Sequence, residues 1–476
     1  MTRRDDPVLL AARAARVLAT VVVLGAAALP GTVGLTLLRG PAAGRRHLYR
    51  RITRLLVALG PTFVKAGQVL GTRRDVLPAA LCDELSLLQD SVGPLTPEQT
   101  RRGLAEAYGP VPAKSVVDGP VVDGRAGNGH AGNGHAGNGH AGNGHAGNGR
   151  AVDSRGGGAP IWASDVTEVA SGSVACVYQA TLPSGARVAV KLRRPGIEAP
   201  MRRDLALMRA GARLAARVPP FRGLPVAEVV DSMCGAVLGQ LDFAREAANL
   251  DRLRDTLATV PRVWVPKVHL DASRPRCIVM DFIPDLDVRA AESCPPAMRK
   301  RFAESALTAI YHMLFVTGFV HCDLHPGNLY FTRGGQVVVL DAGFSVQLSE
   351  RLRRLFAEFF LNMATGRGRR CAEIVIESSA GVRPDADLEG FTVRMADLVE
   401  RSHGLPAREF SLIAFAAEMF DLQRRFGIHA AAELIFPLLS LLVIEGTIRE
   451  LDPSIDFQET AKPVLNRGLF GRRTPA

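Results

Sequence analysis

The chain has 476 residues, a formal net charge of +11, 47% apolar residues and only 6% aromatic ones, which allows a sizeable core and roughly two to four domains. A basic balance fits nucleic acid or an anionic membrane. The sparse aromatics and the absence of zinc-ligand spacing or a basic helix with heptads exclude nucleic acid as the expected partner.

Near the N-terminus, residues 17–38 carry no charge and are long enough to span a bilayer as a helix. Pro30 and the glycines are tolerated in such segments. Arg13 and Arg16 precede the run, and Arg39, Arg45, Arg46, Arg50, Arg51 and Arg54 follow it. The heavier cluster lies on the C-terminal side, so the body of the chain is expected in the cytoplasm and the protein at a membrane. Two rival readings are a secretory signal and a buried or interfacial helical hairpin.

The pattern is helical from 47 to 89, interrupted at Gly60-Pro61, which reads as one helix stopping and another starting. Between 125 and 150, AGNGH occurs four times and is closed by AGNGR. Such Gly/Asn density cannot bury apolar surface, so it is expected to be a flexible linker. Its histidines (His130, His135, His140 and His145) are read as solvated, since nothing preorganises them for a metal. Seven irregularly spaced cysteines without a C-x-x-C indicate reduced thiols, not a disulfide framework or a zinc site.

From 161 onward the pattern alternates, with strands expected in EVASGSVACVYQATL and RVAVKLRRP and a turn at Ser184-Gly185. Helix follows from 201 to 257, then the apolar strand RCIVMDFI, then mostly helix. Strands first and helices later predict an α+β fold: a small lobe followed by a larger helical one. The expected units are a membrane segment with its flanks at 1–43, a helical extension at 44–112, a linker at 113–160, a small lobe at 161–285 and a helical lobe at 286–476.

Four short motifs carry chemistry. His321-x-Asp323 followed by Asn328 has the spacing of a kinase catalytic loop, in which the aspartate orients an attacking hydroxyl and the asparagine ligates magnesium. The apolar run 337–340 delivers Asp341-Ala342-Gly343, where a kinase places a second metal ligand. Val188-Ala189-Val190-Lys191 matches the strand lysine that binds phosphates. Ala170, Gly172, Ala175 and Val177 occupy the positions of a glycine-rich nucleotide loop that also includes Ser171 and Ser173. With fewer glycines this loop is stiffer. Each motif alone is weak; four in order and at compatible separations predict a kinase-like nucleotide site.

Other residues narrow the pattern. FVKAGQ contains K-x-G-Q at Lys65, Gly67 and Gln68, QLDFAREAAN runs from 240 to 249, and HCDLHPGN places His-Pro-Gly before the asparagine. Together these resemble the AarF/UbiB atypical-kinase family over about residues 55–453. The resemblance implies a protein-kinase-like bilobal fold with an N-terminal extension, ATP and Mg2+ as cofactors, and membrane association. It also implies a role in isoprenoid-quinone or related lipid metabolism, with a lipid or prenyl-quinone precursor and a lipid-biosynthesis complex as expected partners. By position, Lys65 and Gln68 would point into the nucleotide site, Glu246 would pair with Lys191, Asp323 would be the catalytic aspartate, and Asn328 and Asp341 would hold magnesium. The chain departs from the family at Gly172, Ala175, Gln240 and Asp281. A small-molecule phosphotransferase and a pseudokinase-like lipid-binding scaffold stand as alternatives.

Overall fold

The computed structural model describes residues 7–71, 78–88, 93–109, 166–217, 226–284, 286–287, 289–325, 327–406 and 408–471. The histidine repeat lies outside the described residues.

Helix α1 (Pro7–Arg39) is longer than the uncharged run and continues through Pro30. Gly40, at φ 84°, turns the chain back into α2 (Pro41–Leu59). The two are antiparallel along their lengths: Gly31 faces His47, Gly44 faces Thr36, and Arg13 donates from Nη2 to Leu59 O at 2.7 Å. Arg13 also pairs with Asp204 at 2.6 Å, fastening the open end of the hairpin to the small lobe. Gly60 then separates α2 from α3 (Pro61–Gly71) as the sequence predicts. After it come α4 (Ala79–Ser86) and α5 (Pro97–Tyr108), which starts with a capping box between Thr96 and Gln99.

The small lobe is an antiparallel sheet of β1 (Thr167–Ser171), β2 (Ala175–Thr181), β3 (Arg187–Arg193) and β5 (Cys277–Asp281) in that spatial order. Side chains alternate across a strand. Val188, Val190 and Leu192 of β3 therefore point to one side, into a core with Leu104 of α5, Tyr178 and Val279. Lys191 points to the other. Thr100 and Tyr178 share a 2.7 Å hydrogen bond that ties α5 to the sheet. Between β3 and β5 lie α6 (Glu198–Ala215), α7 (Val226–Gly239), α8 (Phe243–Leu257) and the short strand β4 (Val263–Trp264). Ala66 of α3 packs with Met201, Leu205, Val237 and Leu241, so the extension rests on α6 and α7.

The large lobe begins with α9 (Pro296–Tyr311), which ends in a π-helical turn, His312–Thr317. Gly318 follows at φ 69°, and a Cβ there would lie 3.1–3.2 Å from Gln347 and Arg353. This reversal feeds β6 (Phe319–His321), which pairs with β9 (Ser345–Gln347). Between them, β7 (Leu329–Phe331) and β8 (Val337–Val339) form a hairpin, with β4 parallel to β8. The remainder is α10 (Glu350–Ala364), α11 (Gly368–Glu377), the short strands β10 (Gly381–Val382) and β11 (Ile428–His429), α12 (Leu388–Ser402), α13 (Leu412–Arg425), α14 (Ala432–Leu451) and α15 (Phe457–Phe470). Tyr311, Phe315, Phe356 and Phe360 pack ring on ring at the centre.

Helix α14 contains the apolar run LIFPLLSLLVI. It lies inside the lobe, with Leu441 and Ile444 buried. Its Glu445, also buried, accepts from the N–H groups of Leu412 and Ile413 at 3.1 and 2.9 Å and from Arg449 at 2.9 Å. That carboxylate serves as the N-terminal partner of α13, which explains a charge inside an apolar helix.

Candidate active site

Ala170 lies opposite Val177, and Val177 opposite Lys191, so the three form a row across β1, β2 and β3 on the cleft face of the sheet. Gly172 N donates to Ala175 O at 2.8 Å, closing the tight turn between β1 and β2; Ser173 inside it is buried. Arg194, which sequence reasoning passed over, holds this loop. It donates to Gly172 O at 2.7 Å, to Ser171 Oγ at 2.8 Å and to Gly93 O at 2.6 Å, and its own N–H bonds Val174 O at 2.9 Å. The only signal in the sequence was a second arginine after the strand.

Lys191 Nζ is 2.5 Å from Glu246 Oε1 and 2.9 Å from Asp341 Oδ2. The three charges arrive from three elements: β3, α8 and the end of β8. Asp242 makes the Glu246 placement possible. Its Oδ1 accepts from Arg245 N at 3.0 Å as the N-cap of α8, and Glu246 sits one turn in. Gln240, the departure from the family pattern, precedes that cap, and its Cα lies 3.9 Å from where a Cβ on Gly343 would be. The end of α7 thus abuts the Asp-Ala-Gly turn.

Asp341 has φ 61°, the left-handed region that aspartate visits more readily than most residues. Gly343 N donates to Asp341 Oδ1 at 2.7 Å and holds that conformation. His321 braces the turn from below. Asp323 N–H donates to His321 Nδ1 at 3.1 Å, so Nε2 carries the proton and donates to Asp341 O at 2.8 Å. Burial lowers the His321 pKa, which keeps this neutral tautomer. Asn249 Nδ2 bonds Ala342 O at 3.0 Å, and Ser440 Oγ of α14 bonds His321 O at 2.7 Å. One backbone–imidazole–backbone link therefore joins Asp323 to Asp341. Asn328 donates from Nδ2 to Asp323 O at 2.9 Å, so Oδ1 is the atom it would offer a metal ion.

On the extension helix, Gln68 donates its Nε2 to Leu88 O at 2.9 Å. Lys65 is half-buried on α3. Gly67 is where α3 meets α2 and α4: a Cβ there would come within 2.6 and 2.7 Å of Leu88 and Leu56.

No cluster of three His, Cys, Asp or Glu among the described residues is arranged for a metal ion. Asn328 and Asp341 would offer oxygen donors only, and two protein oxygens completed by water and phosphates would suit magnesium.

Burial, joined by the Asp341 charge, raises the Glu246 pKa to about 7 against the opposing pull of Lys191. For Asp341, burial pushes upward, but the Lys191 charge and the Gly343 N–H outweigh it and hold the carboxylate well below its usual range. The two have opposite signs in stability. Folded Glu246 binds a proton between 4.5 and about 7, where the unfolded chain does not, so its contribution falls as pH rises through that window. The Asp341 contribution is fully present above its unfolded value of 3.8 and is lost as pH falls below it. Glu246→Gln is therefore expected to flatten the pH dependence of stability between 4.5 and 7 and leave the acid limb in place. Denaturant midpoints measured across pH for both chains check this, and parallel curves refute it.

The β-sheet lobe, helical lobe and lysine–glutamate–aspartate cluster between them define an α+β, protein-kinase-like bilobal fold. The ABC1 atypical kinase-like domain matches residues 163–375, and the UbiB helical domain matches residues 395–456. The chain is 31% identical over 434 residues to the probable protein kinase UbiB of Aeromonas hydrophila, covering 89% of this chain and 71% of that one. It is 30% identical over 442 residues to the same-named protein of Azotobacter vinelandii, covering 90% and 74%. A solved structure described as Rv3197–erythromycin from Mycobacterium tuberculosis aligns with TM-score 0.49 and 20% identity, over 66% of this chain and 80% of that chain. The chain belongs to the UbiB family of atypical kinases.

Proposed function

We propose that this protein binds magnesium-ATP and moves the γ-phosphoryl group at a membrane surface, in support of isoprenoid-quinone or related lipid metabolism. The observation that carries the first half is the convergence of Lys191, Glu246 and Asp341 within hydrogen-bonding distance. Lys191 would bind phosphate, while Asn328 Oδ1 and Asp341 would hold magnesium. The ion would supply charge neutralisation of the phosphates. Lys191 now occupies Asp341 Oδ2, so nucleotide entry requires the lysine to exchange that contact for phosphate oxygens. Asp323 would accept or orient the proton of the attacking hydroxyl or water, positioned by its link to His321. The lipid assignment rests on kinship. The test is ATP turnover by the purified chain with and without magnesium and with added prenyl-quinone precursors. Turnover that needs neither magnesium nor Asp323 removes the reading.

The membrane half rests on α1. It is the one helix among the described residues long and apolar enough to cross a bilayer, and only 6% of its apolar window is buried. Helix α2 runs beside it with five arginines: Arg45, Arg46, Arg50, Arg51 and Arg54. An upright α1 would carry them into hydrocarbon, where a central charge costs at least about 2.5–3.5 kcal/mol. The hairpin is therefore read as lying in the interface, apolar face down and arginines at the headgroups. Val22→Asp with Val33→Asp, both on exposed positions, is expected to move the protein from the membrane pellet to the supernatant with an unchanged melting temperature. Retention in the pellet counts against anchoring by α1.

A further inference from the structure

The open end of the α1–α2 hairpin does not close flush on the small lobe. Between the first turns of α1, the α2–α3 junction and α6 lies a cleft of about 530 Å3 accessible to water-sized spheres. That is within the range of small-molecule sites. One wall is fixed and electrically neutral. Asp204 of α6 is buried, and Arg13 takes both of its carboxylate oxygens, at 2.6 and 2.9 Å.

Two further guanidinium groups line the cleft from different elements, Arg16 of α1 and Arg203 of α6. Arg16 follows Arg13 by three residues and so shares its helix face. Neither Arg16 nor Arg203 has a carboxylate within 4 Å among the described residues. Arg203 Nε donates to Ala199 O of its own helix at 3.2 Å, and Glu198 on that helix is held by Arg193 and Arg202. Two like charges therefore face one cleft without a counter-charge, an arrangement that draws anions.

The α3 side supplies neutral donors. Thr62 lines the cleft and is only 5% exposed, and its hydroxyl has no hydrogen-bond partner among the described residues. Its N–H falls in the first turn of α3, where the helix offers no acceptor. Forked guanidiniums and helix-end N–H groups are donors that suit phosphate oxygens. The rest of the lining includes Leu9, Leu59, Ile197 and Pro200, which suits the carbon part of an ester better than a bare ion.

We propose that this cleft binds the phosphate group of a phosphate ester, with Arg16 and Arg203 on its oxygens and Thr62 as a neutral donor. Two molecules offer that chemistry. One is the headgroup of an anionic lipid, a source that rests on the interfacial reading of α1; the other is a soluble glycerol or sugar phosphate. No residue of the cleft belongs to the active site, so the proposal stands apart from phosphoryl transfer.

The test is calorimetry on the solubilised full chain with glycerol phosphate and with dihexanoyl phosphatidylglycerol, in the absence of nucleotide. Arg16→Gln with Arg203→Gln is expected to weaken the tighter of the two by about tenfold or more, the worth of lost charge-assisted hydrogen bonds. Its melting temperature should not change, because neither side chain forms an ion pair. If that double variant does not fold, Arg16→Gln alone, at an exposed position, decides. Thr62→Val is expected to cost a smaller, few-fold loss. Arg45→Gln with Arg46→Gln removes the same charge from α2, outside the cleft, and is expected to leave the affinity unchanged. Tighter binding of the lipid names the headgroup as the ligand; equal or tighter binding of glycerol phosphate names a soluble ester. Binding of neither overturns the site, and so does an equal loss from the two double variants, which marks a diffuse basic surface. Either result leaves membrane pelleting through α1 untouched, so the two readings fail separately.

Discussion

Asp341→Asn is expected to abolish magnesium-dependent nucleotide binding and to lower ATP turnover by at least about a hundredfold, the range seen when one preorganised electrostatic group is lost. The substitution keeps the shape of the turn. Asparagine tolerates the left-handed conformation at φ 61°, and its Oδ1 can still accept from Gly343 N. What disappears is the charge, which Lys191 and Gly343 together hold in place against burial. Loss of that charge also removes the repulsion that helps raise Glu246, so the variant is expected to fold. Calorimetry of ATP with magnesium and with a chelator separates the two effects. Wild-type and variant should match in chelator and differ only when magnesium is present. Equal affinity in both conditions places the metal elsewhere.

Lys191→Met is expected to destabilise the protein by about 3–5 kcal/mol at pH 8, the penalty of stranding a buried partner. Glu246 is 2% exposed and would be left beside Asp341 with no cation. Burial already lifts its pKa to about 7 in the presence of Lys191. Without the lysine the pKa rises further, so the carboxyl takes up a proton at pH 6 and the penalty shrinks. The sign is therefore specific: the gap between wild type and variant widens as pH increases. The double change Lys191→Met with Glu246→Leu is expected to recover most of the stability and none of the turnover. Urea unfolding at pH 6 and pH 8 makes the measurement. A loss below about 1 kcal/mol that does not vary with pH would mean that the pair is screened by solvent and carries little structural weight.

Much of the frame was legible from local pattern. Alternation in RVAVKLR placed Val188, Val190 and Leu192 on one face and Lys191 on the other, because side chains on a strand alternate regardless of what covers them. Gly60-Pro61 marked the break between α2 and α3, since proline cannot continue a hydrogen-bonded helix but suits its first turn. Glu433 and Glu445 bracket the apolar run of α14, a pattern that suits an interior helix, and Glu445 caps α13 from within the lobe. The membrane hairpin was legible only as an alternative. A charge-free run of 22 residues reads the same whether or not a basic helix returns along it.

The sequence by itself determined the order of the parts and the identity of the charged groups: a strand lysine, a helix glutamate, a loop aspartate with its asparagine, and an aspartate at a strand end. Such spacings are local properties of helices, strands and turns. Only the tertiary structure decided how those groups are held. The neutral tautomer of His321 follows from two backbone partners on separate stretches of the chain, Asp323 N and Asp341 O. The grip of Arg194 on the loop between β1 and β2 depends on Gly93, which arrives from the extension 101 residues earlier. Gln68 turns to Leu88 for the same reason. A side chain's hydrogen-bond partner is whatever the packed fold brings within about 3 Å, and no local pattern in the chain specifies that neighbour.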